Sequence, residues 1–279
     1  MANQVPTIQL NDGNSIPQLG FGVWQVSNEE VAGAVRTAIE IGYRSIDTAQ
    51  GYDNEEGVGQ GIRDSGLPRE QLFITSKLRT SKQRFDDTVK EFELTLDKLG
   101  LDYLDMFLIH WPVPKFDLYP EAWKAFVQLQ KDGRIRTIGV SNFLPEHIDR
   151  VVQETGVRPA INQIELHPEY QQRDVRDYHK QHNIQIESYS PLGSGAALKN
   201  QNIKSIADKH GKSVAQVIIR WHLQEGLVVI PKSTHEERIR ENFDVFGFEL
   251  DGDDLQKIGQ LDRPDGKTGN QPDKMNDLY

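Results

Sequence analysis

The chain has 279 residues, of which 37% are hydrophobic and 27% charged, enough apolar content for a sizeable core and too evenly spread for a disordered chain. Thirty-two Lys and Arg against 42 Asp and Glu give a net charge of -10, which argues against a broad nucleic-acid or anionic-membrane surface. Cysteine is absent, which excludes disulfides and thiol chemistry; there is no leader-like start and no apolar run near the roughly 18 residues of a membrane span, so a cytoplasmic protein is expected.

Asn11-Asp12-Gly13-Asn14 lies between two short extended runs, Thr7 to Leu10 and Ser15 to Pro17, and predicts a hairpin that plugs one end of the remaining fold. From Leu19 the chain alternates short apolar runs with amphipathic stretches at a repeat of about 30 residues, the length of a βα unit. The expected strands are 19–22, 43–46, 72–76, 104–109, 135–140, 160–164, 185–189 and 227–230. Helices are expected at 28–41, 55–65, 84–99, 119–132, 145–155, 173–182, 213–224 and 235–245, with short extra ones at 203–209 and 253–260. Runs such as Met106-Phe107-Leu108-Ile109 suit a parallel sheet buried on both faces. Eight such units predict an α/β chain folded as a (β/α)8 TIM barrel, with its site at the C-terminal ends of the strands. A doubly wound sheet is disfavoured because no Gly-x-Gly-x-x-Gly follows an early strand. No composition break marks a linker, so residues 1–279 are read as one domain, with 1–18 a hairpin and 261–279 a tail that is either mobile or folded over the barrel mouth.

Asp47, Lys77 and His110 close the second, third and fourth strands, and Tyr52 lies in the loop after Asp47. Taken singly, each has an ordinary structural use as a cap, an ion-pair partner or a packing residue. Together on one rim they suit proton delivery to a carbonyl oxygen: an ammonium beside the phenol lowers its pKa, Asp47 holds the lysine, and neutral His110 donates to the substrate oxygen.

A second group comes after the last strand, Pro231-Lys232-Ser233-Thr234-His235-Glu236-Glu237-Arg238 and then Glu241-Asn242. Ser233 or Thr234 with Glu236 or Glu237 reads as a helix capping box. Caps do not require Lys232 and Arg238, and two cations at a helix N-terminus predict an anion site, here a nucleotide phosphate. Between the two groups, Ser141, Asn142 and Gln163 offer polar groups for a carboxamide, and Tyr189 offers a ring for a flat heterocycle. As a set they describe a nicotinamide pocket.

With these residues in view the sequence resembles the aldo-keto reductase superfamily, and within it the bacterial 2,5-diketo-D-gluconate reductases and related small carbonyl reductases. The resemblance spans nearly the whole chain. It rests on Leu-Asn-Asp-Gly-Asn-Ser-Ile-Pro-Gln-Leu-Gly-Phe-Gly at 10–22, Asp-Thr-Ala-Gln-Gly-Tyr-Asp-Asn-Glu-Glu at 47–56 and His-Trp-Pro at 110–112. Gly-Val-Ser-Asn-Phe at 139–143, Asn-Gln-Ile-Glu-Leu-His-Pro at 162–168 and Ile-Pro-Lys-Ser-Thr at 230–234 continue it. It implies a catalytic tetrad of Asp47, Tyr52, Lys77 and His110 and the use of NADPH without a Rossmann domain. Ser141, Asn142 and Gln163 would hold the carboxamide, with Tyr189 stacked on the nicotinamide and Ser190, Leu192 and Gly193 along the pyrophosphate. Lys232, Ser233, Thr234, Arg238, Glu241 and Asn242 would take the adenosine 2′-phosphate end. It also suggests a monomer. Arg79 stands where many relatives carry a Trp, which predicts a more cationic rim, and Trp24 and Trp111, with Tyr119 as a third candidate, supply apolar walls to an open pocket. His235 stands where related reductases often have a basic residue, which softens the expected preference for NADPH.

The expected activity is NADPH-dependent reduction of keto-sugar acids, α-dicarbonyls or general aldehydes. Two rivals are a nucleotide-responsive binding subunit with little turnover, and a barrel hydrolase built on Glu165 and Glu187. For the latter, His179 and His182 fall on a predicted helix away from the strand ends and are expected to face solvent.

Overall fold

A computed structural model describes residues 5–279. β1 (Thr7–Gln9) and β2 (Ser15–Pro17) pair antiparallel about a tight turn in which Leu10 N–H donates to the Asn14 carbonyl at 2.8 Å. Eight strands then lie parallel and in sequence order: β3 (Phe21–Gly22), β4 (Ser45–Asp47), β5 (Phe73–Leu78), β6 (Leu104–Ile109), β7 (Ile135–Ser141), β8 (Ile161–Glu165), β9 (Gln185–Tyr189) and β10 (Val228–Val229). The sheet closes on itself through a parallel bridge from Leu19 to Val229, with Gly20 N–H donating to the Val229 carbonyl at 2.9 Å and Gly22 N–H to that of Pro231 at 3.1 Å. This is the expected barrel.

Around it run α1 (Asn28–Ile41), α2 (Glu55–Asp64), α3 (Phe85–Leu99), α4 (Tyr119–Lys131), α5 (Pro145–Thr155), α6 (Arg173–Gln181), α7 (Gln201–His210), α8 (Val214–Gln224), α9 (Glu236–Phe243) and α10 (Gly252–Gly259). α7 and α10 are the two extra short helices. α1 begins where Ser27 caps the Glu30 N–H and ends at Gly42, whose φ of 135° suits only glycine. α2 packs so closely on α1 that a Cβ at Gly57 would lie 2.3 Å from the Asn28 carbonyl oxygen, which explains why small residues recur there. None of the helices among the described residues is long and apolar enough to cross a membrane.

The hairpin plugs the N-terminal end of the barrel. Asn11 donates to the carbonyls of Pro159 and Asn183, just before β8 and β9, and Asn14 to that of Arg136 at the start of β7. Leu10 and Ile16 join Phe73, Met106, Leu108, Ile161 and Val228 in one buried cluster, an apolar floor beneath the polar rim. Two strand boundaries shift in ways that matter for the site. β4 runs through Asp47 rather than stopping before it, and β5 runs to Leu78, so Lys77 sits inside a strand with every residue buried. Tyr43, expected to open β4, instead packs its ring between Phe21 and Phe243 and donates its hydroxyl to the Ile239 carbonyl at 3.2 Å.

Candidate active site

Alternation along the strands turns Asp47, Lys77, Gln163 and Glu187 into the barrel, above its apolar floor. Lys77 Nζ donates to Asp47 Oδ1 at 2.5 Å, to the Thr48 carbonyl at 2.9 Å and to the Tyr52 hydroxyl at 3.3 Å, which uses all three ammonium hydrogens. Tyr52 ends a short 3₁₀ turn, Gln50–Tyr52, held by buried Gln50, whose amide donates to the Glu91 carbonyl and Thr95 and accepts from the Arg79 N–H. His110, just beyond β6, faces the Tyr52 ring edge-on at 5.7 Å between centroids. Asp47, Tyr52, Lys77 and His110 are thus brought together.

The electrostatics derive from burial. Lys77 is fully enclosed, which disfavours its charge, but Asp47, Tyr52 and Glu187 more than offset this and hold its pKa above the ordinary value. Burial likewise drives the Tyr52 phenol up, with Lys77 pulling against it, so the lowering expected from the ammonium alone is outweighed. The phenol therefore stays protonated, with the ammonium beside it. Burial and the nearby Lys77 charge push His110 well down, leaving a neutral imidazole. Sequence reasoning leaves Glu187 out of this network, although its two-residue spacing from Tyr189 turns it inward. It is fully buried, and desolvation together with the Asp47 charge raises it to about 8. One amide bridges the two carboxyls: Gln163 Nε2 donates to Asp47 Oδ2 and to Glu187 Oε2, each at 2.8 Å.

The residues read as a nicotinamide pocket interlock beside the tetrad. Asn142, in the left-handed region at φ 59°, donates to the His110 carbonyl at 3.1 Å and accepts from the Tyr189 hydroxyl at 2.8 Å, while Ser141 Oγ donates to the Gln163 carbonyl. These contacts fix the Tyr189 ring and leave Gln163 Oε1 free to accept from a carboxamide. Ser190, Leu192 and Gly193 continue into a loop with both Ser190 and Gly193 at positive φ. At the far end α9 begins beside a cleft of about 1100 Å³ whose lining includes Thr234, His235, Arg238 and Glu241 along with the acidic Glu236, Glu237 and Asp244. The expected capping box is absent there: His235 is the N-cap residue and offers no side-chain bond, because Ser233 Oγ turns back to accept from the His235 N–H. Uncapped helix N–H groups are therefore open. Lys232 and Arg238 are exposed and have no acidic partner among the described residues, whereas neighbouring Arg240 pairs with Glu236 at 3.1 Å. Asn242 is buried on the same helix. An aromatic ring fixed through its hydroxyl, a free amide acceptor and two cations without acidic partners among the described residues at an uncapped helix start fit a nicotinamide nucleotide with an extra phosphate.

On the substrate side the tail takes one of its two expected courses, while the walls and the charge differ from expectation. The tail folds over the mouth: Glu165 accepts from Thr268 N–H at 2.6 Å, Thr268 Oγ1 at 2.7 Å, Gly269 N–H at 2.9 Å and Lys267 at 3.2 Å. Burial would raise the Glu165 carboxyl, but these bonds and one from His167 hold it well below the usual range, and its oxygens are committed to the tail rather than to hydrolysis. Further on, Met275 packs with Trp111 and Val113, so Trp111 is buried beside the tail rather than lining an open pocket. Trp24, expected as the other wall, is half-exposed at 51%. Tyr119 is no wall: it is buried at the start of α4 against Phe143 and His147. Arg79 does not present a free charge. Its guanidinium donates to the Gln50 carbonyl at 3.1 Å and lies 3.6 and 3.8 Å from Asp53 and Glu91. His179 is not solvent-facing either. Burial pushes it down to about 4 against a bond to the Val175 carbonyl, Asn162 bonds its other ring nitrogen, and the His182 ring lies tilted over Tyr178 at 4.1 Å.

A barrel with a lysine bridging an acid and a phenol, and with no separate nucleotide domain, defines a class of oxidoreductase. Residues 18–263 match the aldo/keto reductase family, and the chain belongs to it. It is an NADPH-dependent carbonyl reductase. The chain is 53% identical to methylglyoxal reductase DkgA of Escherichia coli strain K12, across 99% of each chain. It is 49% identical to the glyoxal reductase of Bacillus subtilis strain 168, over 96% of this chain and 97% of that one. Among solved structures, a variant of Gox0644 in complex with NADPH superimposes with a TM-score of 0.95 at 48% identity, covering 98% and 99% of the two chains.

Proposed function

We propose that this enzyme reduces small α-dicarbonyl compounds of the methylglyoxal type, with Tyr52 as the proton donor. The observation that carries the proton-transfer reading is the placement of Lys77 Nζ between Asp47 and the Tyr52 hydroxyl, opposite a neutral His110. NADPH, when bound, supplies the hydride. His110 donates a hydrogen bond that orients the substrate carbonyl and stabilises charge on its oxygen; Tyr52 gives that oxygen its proton, and Lys77 stabilises the phenolate left behind. Asp47 keeps Lys77 charged and in place. Ser141, Asn142, Gln163 and Tyr189 orient the nicotinamide, Ser190, Leu192 and Gly193 follow the pyrophosphate, and Lys232, Ser233, Thr234, Arg238, Glu241 and Asn242 take the phosphorylated ribose. For the substrate class, support comes from the names of the two relatives and from a mouth over which the tail folds, covering Trp111, and where the charge of Arg79 is already balanced. A small, neutral dicarbonyl suits that mouth better than a bulky anionic keto-sugar acid.

The test tracks NADPH absorbance with methylglyoxal, a short α-diketone, a diketo-sugar acid and an aromatic aldehyde, in wild type and in Tyr52→Phe. The expected ranking puts methylglyoxal first, and Tyr52→Phe lowers kcat by about 10²- to 10⁴-fold. Preference for the sugar acid would overturn the substrate class, and full turnover in Tyr52→Phe would overturn the role of the phenol.

A further inference from the structure

Beyond the tetrad, one more side chain touches its donor. The hydroxyl of Tyr279 lies 3.1 Å from His110 Nδ1, with the two rings edge-on at 89°. This is a held position. The Tyr279 N–H donates to Thr80 Oγ1 at 2.9 Å, and the main-chain oxygen of Tyr279 accepts from Ser81 Oγ at 2.9 Å and from the Ser81 N–H at 3.3 Å. Both ends of the residue are therefore pinned to the turn after β5, the strand that carries Lys77. The ring lies against Gly51, where a Cβ would come within 2.5 Å of it, so the turn that presents Tyr52 is cut to admit this side chain. Upstream, the Glu165 clamp and the Met275 contact fix the path of the tail toward the site.

A neutral imidazole carries one N–H, and which nitrogen bears it is set by the partner of the other. A carbonyl oxygen can only accept. His110 therefore needs its proton on Nε2 to serve the substrate, and Nδ1 must then be an acceptor supplied with a donor. Among the described residues the Tyr279 hydroxyl is the group bonded to that nitrogen. Burial keeps the Tyr279 phenol protonated well above its ordinary pKa, so it has a hydrogen to give.

We propose that Tyr279 is a positioning residue for the reduction, donating its hydroxyl hydrogen to Nδ1 of His110 and so holding the imidazole as the Nε2–H tautomer that a carbonyl oxygen requires. The inference rests on the role given to His110 under the proposed function. It assigns the tail a part in the chemistry as well as in enclosing the pocket.

The test uses the full chain as wild type, Tyr279→Phe, His110→Asn and the double variant. Nitrogen-15 NMR of histidine-labelled protein, with His110 assigned by its loss in His110→Asn, reads the tautomer directly and needs no turnover. The expected result is a single Nε2–H form in wild type and a mixture in Tyr279→Phe. In methylglyoxal reduction, Tyr279→Phe keeps the ring, so KM should stay within about twofold while kcat falls about tenfold, the size of one lost hydrogen bond to a reacting group. In the His110→Asn background the same change should have no effect on kcat. An Nδ1–H form in wild type, an unchanged tautomer in Tyr279→Phe, or an equal loss of kcat in the His110→Asn background would each overturn the proposal. If wild type reduced no carbonyl, the functional reading would fall while the NMR result still decided the hydrogen bond.

Discussion

At the tetrad, Lys77 is fully buried and every ammonium hydrogen has a partner in the protein; at the end proposed to hold the phosphate, Lys232 and Arg238 stand in solvent with no acidic partner among the described residues. The same kind of charge is handled in opposite ways. On the proposed function, a cation that acts on a proton within the protein is paired in advance, so that the field it exerts on Tyr52 is set before any ligand arrives. On the same proposal, a cation that binds an external anion is left without a protein partner at an uncapped helix start, so that its interaction energy goes to the ligand.

Lys77→Met tests the first half and should give the largest effect. Loss of the buried partner strands Asp47, so about 3–5 kcal/mol of stability should vanish along with activity, read by denaturant unfolding and NADPH oxidation. Tyr52→Phe, by contrast, should abolish most turnover and leave the unfolding midpoint nearly unchanged. If both variants lost stability equally, the ion pair would not be the structural member of the group.

Replacing Lys232 and Arg238 together by Ala sharpens the second half. KM for NADPH should rise about 10- to 100-fold while kcat holds within about twofold, because charge-assisted bonds to phosphate are lost without disturbing the chemistry. KM for NADH should hardly move. An equal rise for both cofactors would place these cations elsewhere than at the extra phosphate.

Glu187 gives a smaller effect, visible against pH. Its carboxyl is raised from 4.5 to about 8 by burial and by Asp47, so between these values the folded state holds a proton that the unfolded state has lost. The stability it contributes is complete below pH 4.5 and drains as pH rises to 8, by up to about 1.4 kcal/mol per unit. Glu187→Gln should remove that slope and gain on wild type toward alkaline pH. Parallel pH profiles of unfolding for the two proteins would show that Glu187 is ionised in the fold. Arg79→Ala should matter least. With Asp53 and Glu91 beside its guanidinium, kcat/KM for an anionic keto acid and for methylglyoxal should change by the same factor, within about twofold. A selective loss for the anion would restore Arg79 as a substrate contact.

The sequence by itself determined the barrel, because eight alternating apolar runs and amphipathic stretches at one repeat length admit few other folds, and because parallel strands buried on both faces read as continuous apolar runs. Asp47, Lys77 and His110 were legible for a related reason, as polar residues closing successive strands of one rim. Only the tertiary structure decided what these groups experience. The pKa of Tyr52 turns on a contest between enclosure and one ammonium, which no local spacing reveals. Arg79 is neutralised by Asp53 and Glu91, which reach it through the packing of a 3₁₀ turn and a helix. His179 has the sequence setting of a surface residue, and only the fold brings Asn162, on the strand beneath, to bond it. Tyr279 reaches His110 from 169 positions away, at the end of a tail without periodicity. Hydrophobic periodicity is local and survives in the sequence, whereas partners and desolvation depend on which distant segments the closed barrel brings to its mouth.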